Sequence, residues 1–293
     1  MTPSALFLTV SCPDMAMRWK KQTHPYFGEC LYITNEIVEL MVPLSYGIRI
    51  GHFALCGGEN VFYEQPKDMT ELTTPEGWRL RGGHRFWVAP ESEKTYCPDN
   101  APIQFEVCGD SVLLTQQNDP WLHVKKSIRI TLGEDAAVQV EHILENTGDS
   151  DRTCSLWAVT SVAPGGTQHI PLKAYDGGYQ PRHWISMWSY TDLSDYRVKY
   201  ARDEILLAHE PIEQKYKIGV DRPNGPVCYE NRGVIFEKDF PVIPTEEIYP
   251  DKDVSYETFM CQYMVEIESL SPLQTMAPGQ RCMHTEIWRL RNA

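Results

Sequence analysis

Ile128-Arg129-Ile130-Thr131-Leu132-Gly133-Glu134-Asp135-Ala136-Ala137-Val138-Gln139-Val140-Glu141 decides the fold class. Apolar and polar residues alternate with period two, stop at a Gly-Glu-Asp turn, and alternate again. That period puts one face of each strand on a core and the other towards water or a cleft. Val38, Leu40, Val42 and Leu44 repeat the pattern against Glu39, Met41 and Pro43.

Working outward, turn chemistry separates the runs at Gly57-Gly58, Pro98-Asp99-Asn100, Asn146-Thr147-Gly148-Asp149, Pro164-Gly165-Gly166 and Pro278-Gly279. No window of helical length sustains i, i+3, i+4 apolar spacing, so helices are expected to be few and short. The reading is one large all-β antiparallel domain, sandwich-like, over residues 30–293. Residues 1–29 are expected as an N-terminal extension, with no confident strand before Gly28.

The formal net charge of −13 over 293 residues argues against nucleic acid or an anionic membrane as a partner. Nine cysteines, odd in number and never spaced as C-x-x-C, read as buried thiols of a cytoplasmic protein rather than zinc ligands or a disulfide framework. The short apolar run Ala5–Val10 lacks a basic flank and is followed by Pro13 and Asp14, so a secretory signal is not expected. Nothing approaches the ~20 apolar residues of a membrane span. No metal is implied by His-x-His or calcium-loop spacing, and no cofactor by a P-loop or G-x-G-x-x-G.

Three segments carry candidate chemistry. In Tyr263-Met264-Val265-Glu266-Ile267-Glu268, alternation puts Glu266 and Glu268 on one strand face, about 7 Å apart. In a cleft, mutual repulsion and burial would raise one carboxyl towards acid/base use; on a solvated face they would be ordinary surface glutamates. Gly82-Gly83-His84-Arg85-Phe86-Trp87-Val88-Ala89-Pro90-Glu91 offers an imidazole and a guanidinium beside aromatic rings, a set suited to sugar hydroxyls. The plain alternative pairs Arg85 with Glu91 and leaves His84 a satisfied structural histidine. Asp99 and Asn100 follow on the turn. Between His183 and Arg197 the chain is rich in aromatics and acids, with Trp188, Asp192 and Arg197 as candidate ligand contacts. Lys217 is a further candidate. A phosphorylated sugar asks for more basic groups than Arg49, Arg85, Arg197 and Lys217 supply unless those four converge.

The Gly82–Glu91 run, the Tyr46-Gly47-Ile48-Arg49-Ile50 strand end, Asn146-Thr147-Gly148, Leu156-Trp157-Ala158-Val159-Thr160 and the closing Glu286-Ile287-Trp288 strand occur in an order that resembles the galactose mutarotase-like (aldose 1-epimerase) superfamily. Within it, the chain is most similar to an uncharacterised bacterial family sharing the Gly-Gly-His-Arg-aromatic-Trp-Val-Ala-Pro-Glu run. The resemblance spans roughly residues 30–290 and implies a β-supersandwich of two large antiparallel twisted sheets with a sugar-binding cleft. It implies interconversion of anomers, a Glu base taking the anomeric proton and a His acid protonating the ring oxygen. By position Glu268 matches the base, with Glu266 able to replace it. The acid does not match: no histidine lies between Cys154 and Gln168 or near Asp99-Asn100, leaving His84 as the one histidine of the signature. His24-Pro25-Tyr26-Phe27 copies a mutarotase motif but precedes the first expected strand.

Two readings therefore stand, with oligomeric state open. One is a carbohydrate-recognising epimerase acting at the anomeric carbon through Glu268, Glu266 and His84, with Arg85, Arg49, Glu91, Asp99, Asn100, Trp188, Asp192, Arg197 and Lys217 as substrate contacts. The other is a carbohydrate-binding protein without turnover. A third use of the aromatic segment, against a protein partner, predicts a dimer sensitive to Trp188.

Overall fold

The computed structural model describes residues 17–173, 177–179, 183–242 and 248–293. The opening stretch forms a hairpin, Val124–Leu132 antiparallel to Ala137–Asn146, with Leu132 opposite Val138. Along both strands buried and half-exposed residues alternate, as the period requires. The hairpin belongs to a ten-stranded sheet running from Val198–Tyr200 at one edge to Gln104–Cys108 at the other.

An eight-stranded sheet includes, in order, Ile185–Met187, Tyr216–Val220, Tyr256–Met260, Val265–Leu270, Arg152–Val162, Gly83–Ala89 and Arg49–Ile50. Gln274–Met276 pairs with the beginning of Arg152–Val162. Every paired strand is antiparallel, and the described helical segments are one short α-turn, Pro250–Asp253, and one 3-10 turn, Glu93–Tyr96. None of the described helices is long and apolar enough to cross a membrane. The eight described cysteines are unpaired thiols.

The core lies between the inner faces of the two sheets. Phe86, Val88, Leu156 and Ile267 from the eight-stranded sheet join Val138, Val140, Phe236 and Trp288 from the ten-stranded one. Trp288 has no exposed surface, and its ring lies within 6 Å of Phe53, Phe62, Phe236 and His84. Burying one such indole contributes about 4–6 kcal/mol before entropy is counted.

A four-stranded sheet of Arg18–His24, Gly28–Thr34, Val38–Pro43 and His52–Leu55 adds Leu31, Ile33, Leu40 and Phe53 to this core. Arg18–His24 lies inside the segment expected as an extension. It is an exposed edge strand, and its sequence Arg-Trp-Lys-Lys-Gln-Thr-His has no apolar alternation to announce it. The His24-Pro25-Tyr26-Phe27 string is the turn that follows: His24 Nδ1 accepts from the backbone N–H groups of Tyr26 and Phe27 at 3.3 and 3.2 Å. Residues 1–16 fall outside the described residues.

Candidate functional site

The outer face of the eight-stranded sheet, turned away from the main core, carries an unusual charge pattern. Cross-strand register builds it row by row. One row sets Gly83, Ser161, Glu266, Phe259 and Lys217 side by side; the next sets Arg85, Val159, Glu268, Glu257 and Gly219. Trp87 and Trp157 head a third. Because alternate residues share a face, Arg85, Glu266, Glu268, Glu257 and Lys217 project to one side.

Loops and strand ends fold over this face, and Trp78, Trp87, Trp157, Leu80 and Met264 form a second apolar cluster upon it. A cavity of about 280 Å³ remains, walled by Trp78, Trp87, Trp157, Tyr96 and Tyr190, with Arg85, Glu266, Lys217 and Glu91 reaching into it.

Both cations here are paired with carboxylates. Arg85 donates to Glu266 at 2.8 Å, and the Ser161 hydroxyl donates to the same carboxylate oxygen at 3.1 Å. The Arg85 guanidinium lies 4.7 Å from the Trp87 ring centroid. Lys217 Nζ is 2.8 Å from Glu257 and 3.6 Å from Glu268, and its ammonium lies 4.8 and 4.6 Å from the rings of Trp157 and Trp188. Apart from Lys217, neither Glu257 nor Glu268 has a hydrogen-bond partner among the described residues.

Two buried carboxyls therefore share one cation. Burial is the largest influence on Glu268 and pushes it up to about 7, with Lys217 opposing and Glu266 reinforcing. Burial likewise lifts Glu257 well above the usual carboxylate range, again against Lys217. Burial alone would discharge Lys217, but Glu268 and Glu257 outweigh it and keep the ammonium protonated.

The structure brings together Arg85, Glu91, Glu266, Glu268, Lys217 and Trp188 from the expected set. Within it Glu266 faces the cavity, whereas the Glu268 side chain is 1% exposed and lies beneath Lys217. Arg85 pairs with Glu266, not with Glu91, whose carboxylate accepts from the Tyr96 hydroxyl.

His84 corrects the expectation of an imidazole facing the carboxylates. It is adjacent to Arg85 in an extended strand, so it must point to the opposite face. There it is fully buried between the sheets, 2.8 Å from Thr160 Oγ1 and 2.7 Å from His142 Nε2. Hydrogen bonding fixes the tautomers of this chain. The His284 carbonyl can only accept, so His142 Nδ1 carries a proton at 3.0 Å from it, His84 Nε2 donates to His142 Nε2, and Thr160 donates to His84 Nδ1. Burial, then the neighbouring His142, hold His84 well below its ordinary value, so it stays neutral. Lys238, Glu286 and Ser269 complete the network, with Lys238 2.8 Å from Glu286.

Arg49 and Asp99 lie behind the cavity rather than in it. Arg49 is fully buried and donates to Asp99 at 2.6 Å and to the carbonyls of Leu80 and Gly82. Arg81 holds the other Asp99 oxygen at 2.8 Å and also reaches Asn100, which donates to Gly77. Burial would raise the Asp99 carboxyl, but Arg49 and Arg81 outweigh it and hold it below the carboxylate range. This cluster fastens the Gly82-Gly83 corner. There φ is +83° and +71°, and a Cβ would fall 2.0 Å from Tyr63 O or 2.3 Å from Ile50 O. Glycine is required there by shape and handedness.

Arg197 is spent on Asp195 and the Gln214 carbonyl, and Asp192 is exposed, accepting from Ser194. Arg49, Arg85, Arg197 and Lys217 thus do not converge. The residues that sequence reasoning missed are Glu257 and the wall tryptophans Trp78 and Trp157. Glu257 sits in an alternating strand, Tyr256–Met260, but only its register opposite Glu268 reveals it.

No protein-family model matches the chain, and no curated protein matches it in sequence. Solved structures do resemble it. A TPR-domain containing protein of Parabacteroides distasonis superposes with a TM-score of 0.61 at 15% identity, covering 90% of this chain; this chain spans 47% of that one. A galactose mutarotase-like protein of Lactobacillus casei gives 0.58 at 10% identity, covering 89% of this chain and 100% of its own. A galactose mutarotase-like protein of Clostridium acetobutylicum gives 0.52 at 10%, covering 96% and 99%. Identities this low speak for architecture alone, and the architecture is the galactose mutarotase-like β-sandwich.

Proposed function

We propose that the protein recognises a sugar in the outer-face cavity and interconverts its anomers by acid/base catalysis at the anomeric hydroxyl and ring oxygen. The observation supporting this is the convergence of Glu266, Arg85 and Lys217 on a cavity walled by tryptophan and tyrosine rings. Aromatic faces stack on the apolar face of a pyranose while paired charges meet its hydroxyls. Glu266, which faces the cavity beside Arg85, takes the proton of the anomeric hydroxyl. Lys217, kept protonated by the two glutamates beneath it, hydrogen-bonds the ring oxygen and stabilises the charge that develops there as the ring opens; on reclosure that oxygen attacks the anomeric carbon again and Glu266 returns the proton to the anomeric oxygen. Glu268 and Glu257 set the charge of Lys217 and so position the donor. The solved relatives called galactose mutarotase-like support the substrate class.

Binding without turnover is favoured by one observation: the ion pairs Arg85–Glu266 and Lys217–Glu257 already occupy the groups that chemistry would use. NMR exchange between anomers of free hexoses, pentoses and uronic acids separates the two. Exchange above the buffer rate, lost in Glu266→Gln, supports catalysis. Calorimetric binding with no exchange supports the second reading, and neither signal with any sugar refutes both.

A further inference from the structure

The inner cavity has an open neighbour. On the far side of Tyr96 and Thr74, which wall it, the same two residues form one side of an open trough of about 660 Å³. Its remaining wall carries Trp121, 36% exposed, with Glu76, Glu93 and Lys94 around it. Tyr96 is held firmly as the divider: its ring packs edge-on against Trp78 at 5.1 Å and Trp87 at 4.8 Å, and its hydroxyl donates to Glu91. The backbone of Trp121 is anchored by Asp119, which accepts its N–H at 2.9 Å, while the indole Nε1 donates to no atom among the described residues.

Size decides what this arrangement admits. Pockets that enclose drug-sized ligands run from about 300 to 1,000 Å³. The inner cavity, at about 280 Å³, falls just below that range and suits one sugar ring. A second ring must leave it, and across the shared wall of Tyr96 and Thr74 lies a surface that again pairs an exposed aromatic with hydrogen-bonding side chains. We infer that the ligand is a disaccharide or longer glycan, its reducing-end ring in the cavity and its next ring in the Trp121 trough. This rests on the sugar reading of the cavity. Trp121 supplies the stacking face, and Glu76, Glu93 and Lys94 meet hydroxyls of the second ring.

The test is calorimetry on the full chain with glucose, galactose, xylose and N-acetylglucosamine, and with cellobiose, maltose, lactose, xylobiose and chitobiose. For at least one pair the disaccharide is expected to bind tenfold or more tighter than its monosaccharide. Trp121→Ala is expected to remove that gain while leaving monosaccharide affinity unchanged and the protein folded, as a cooperative thermal transition shows, and Trp121→Phe to restore most of it. Equal affinity for monosaccharide and disaccharide in the wild type overturns the trough while sparing the cavity. So does a gain that survives Trp121→Ala. Absence of heat with every sugar overturns the cavity reading and this one together.

Discussion

Replacing Lys217 by methionine keeps most of the length of the side chain and removes the one cation, among the described residues, that Glu257 and Glu268 share. At 2.8 and 3.6 Å, each attraction amounts to about 5–6 kcal/mol gross at the effective dielectric of a protein site. Most of that is offset by the desolvation of an ammonium whose side chain is only 7% exposed. What remains is the cost of leaving buried carboxylates uncompensated, about 3–5 kcal/mol when one partner of a buried pair is removed. The cost must depend on pH. With burial already pushing both carboxyls up, loss of Lys217 drives them higher, and protonation relieves the penalty. Urea unfolding should therefore show Lys217→Met destabilised by about 3–5 kcal/mol at pH 8 and by about 1–2 kcal/mol at pH 5. Adding Glu268→Gln to Lys217→Met should recover about 2 kcal/mol at pH 8. A cost below 1 kcal/mol, or one equal at the two pH values, would refute the shared-cation account.

Other outcomes follow from the same geometry. Glu268 is raised to about 7 from an unfolded value near 4.5, so its contribution is complete below 4.5 and lost as pH rises through 7. Glu268→Gln should gain roughly 3 kcal/mol relative to wild type between pH 5 and 9 in denaturant titrations. His142 moves the opposite way: burial lowers it to about 3, so the native state refuses protons that the unfolded chain accepts below about 6.5, and stability is lost as pH falls. His142→Gln should flatten the acid limb by roughly 2 kcal/mol between pH 6.5 and 5, measured the same way. Asp99→Ala leaves the buried Arg49 unpaired and should cost about 3–5 kcal/mol, seen as a fall in melting temperature. Gly82→Ala, whose methyl would strike Tyr63 O, should cost at least ~2 kcal/mol by unfolding, whereas Gly57→Ala, with open space around it, should cost about 1 kcal/mol for its positive φ.

Much of the fold was legible because a sandwich core imposes period two on its strands. The hairpin around Gly133 reads directly from alternation, and so does the shared face of Glu266 and Glu268. Arg18–His24 was silent because an exposed edge strand buries no regular face. The same period carried a warning about His84. Neighbours in a strand cannot both line one cleft, so Arg85 in the cavity required His84 in the core. The rest depended on register. Glu257 meets Glu268, and Arg49 meets Asp99 fifty positions away, through strand pairing and loop closure that no local pattern encodes. Charged residues read as a basic ligand-binding set were already committed to carboxylates within the protein.

The central claim is that the tryptophan-walled cavity on the outer sheet face binds a sugar. Calorimetric titration of the sugar panel into wild type, Glu266→Gln and Trp121→Ala tests it most directly, with melting temperatures as the folding control. The account predicts at least one sugar that binds wild type, loses tenfold or more of its affinity in the folded Glu266→Gln protein, and keeps its monosaccharide affinity in Trp121→Ala. No binding by any sugar, or binding that Glu266→Gln leaves untouched, would contradict it.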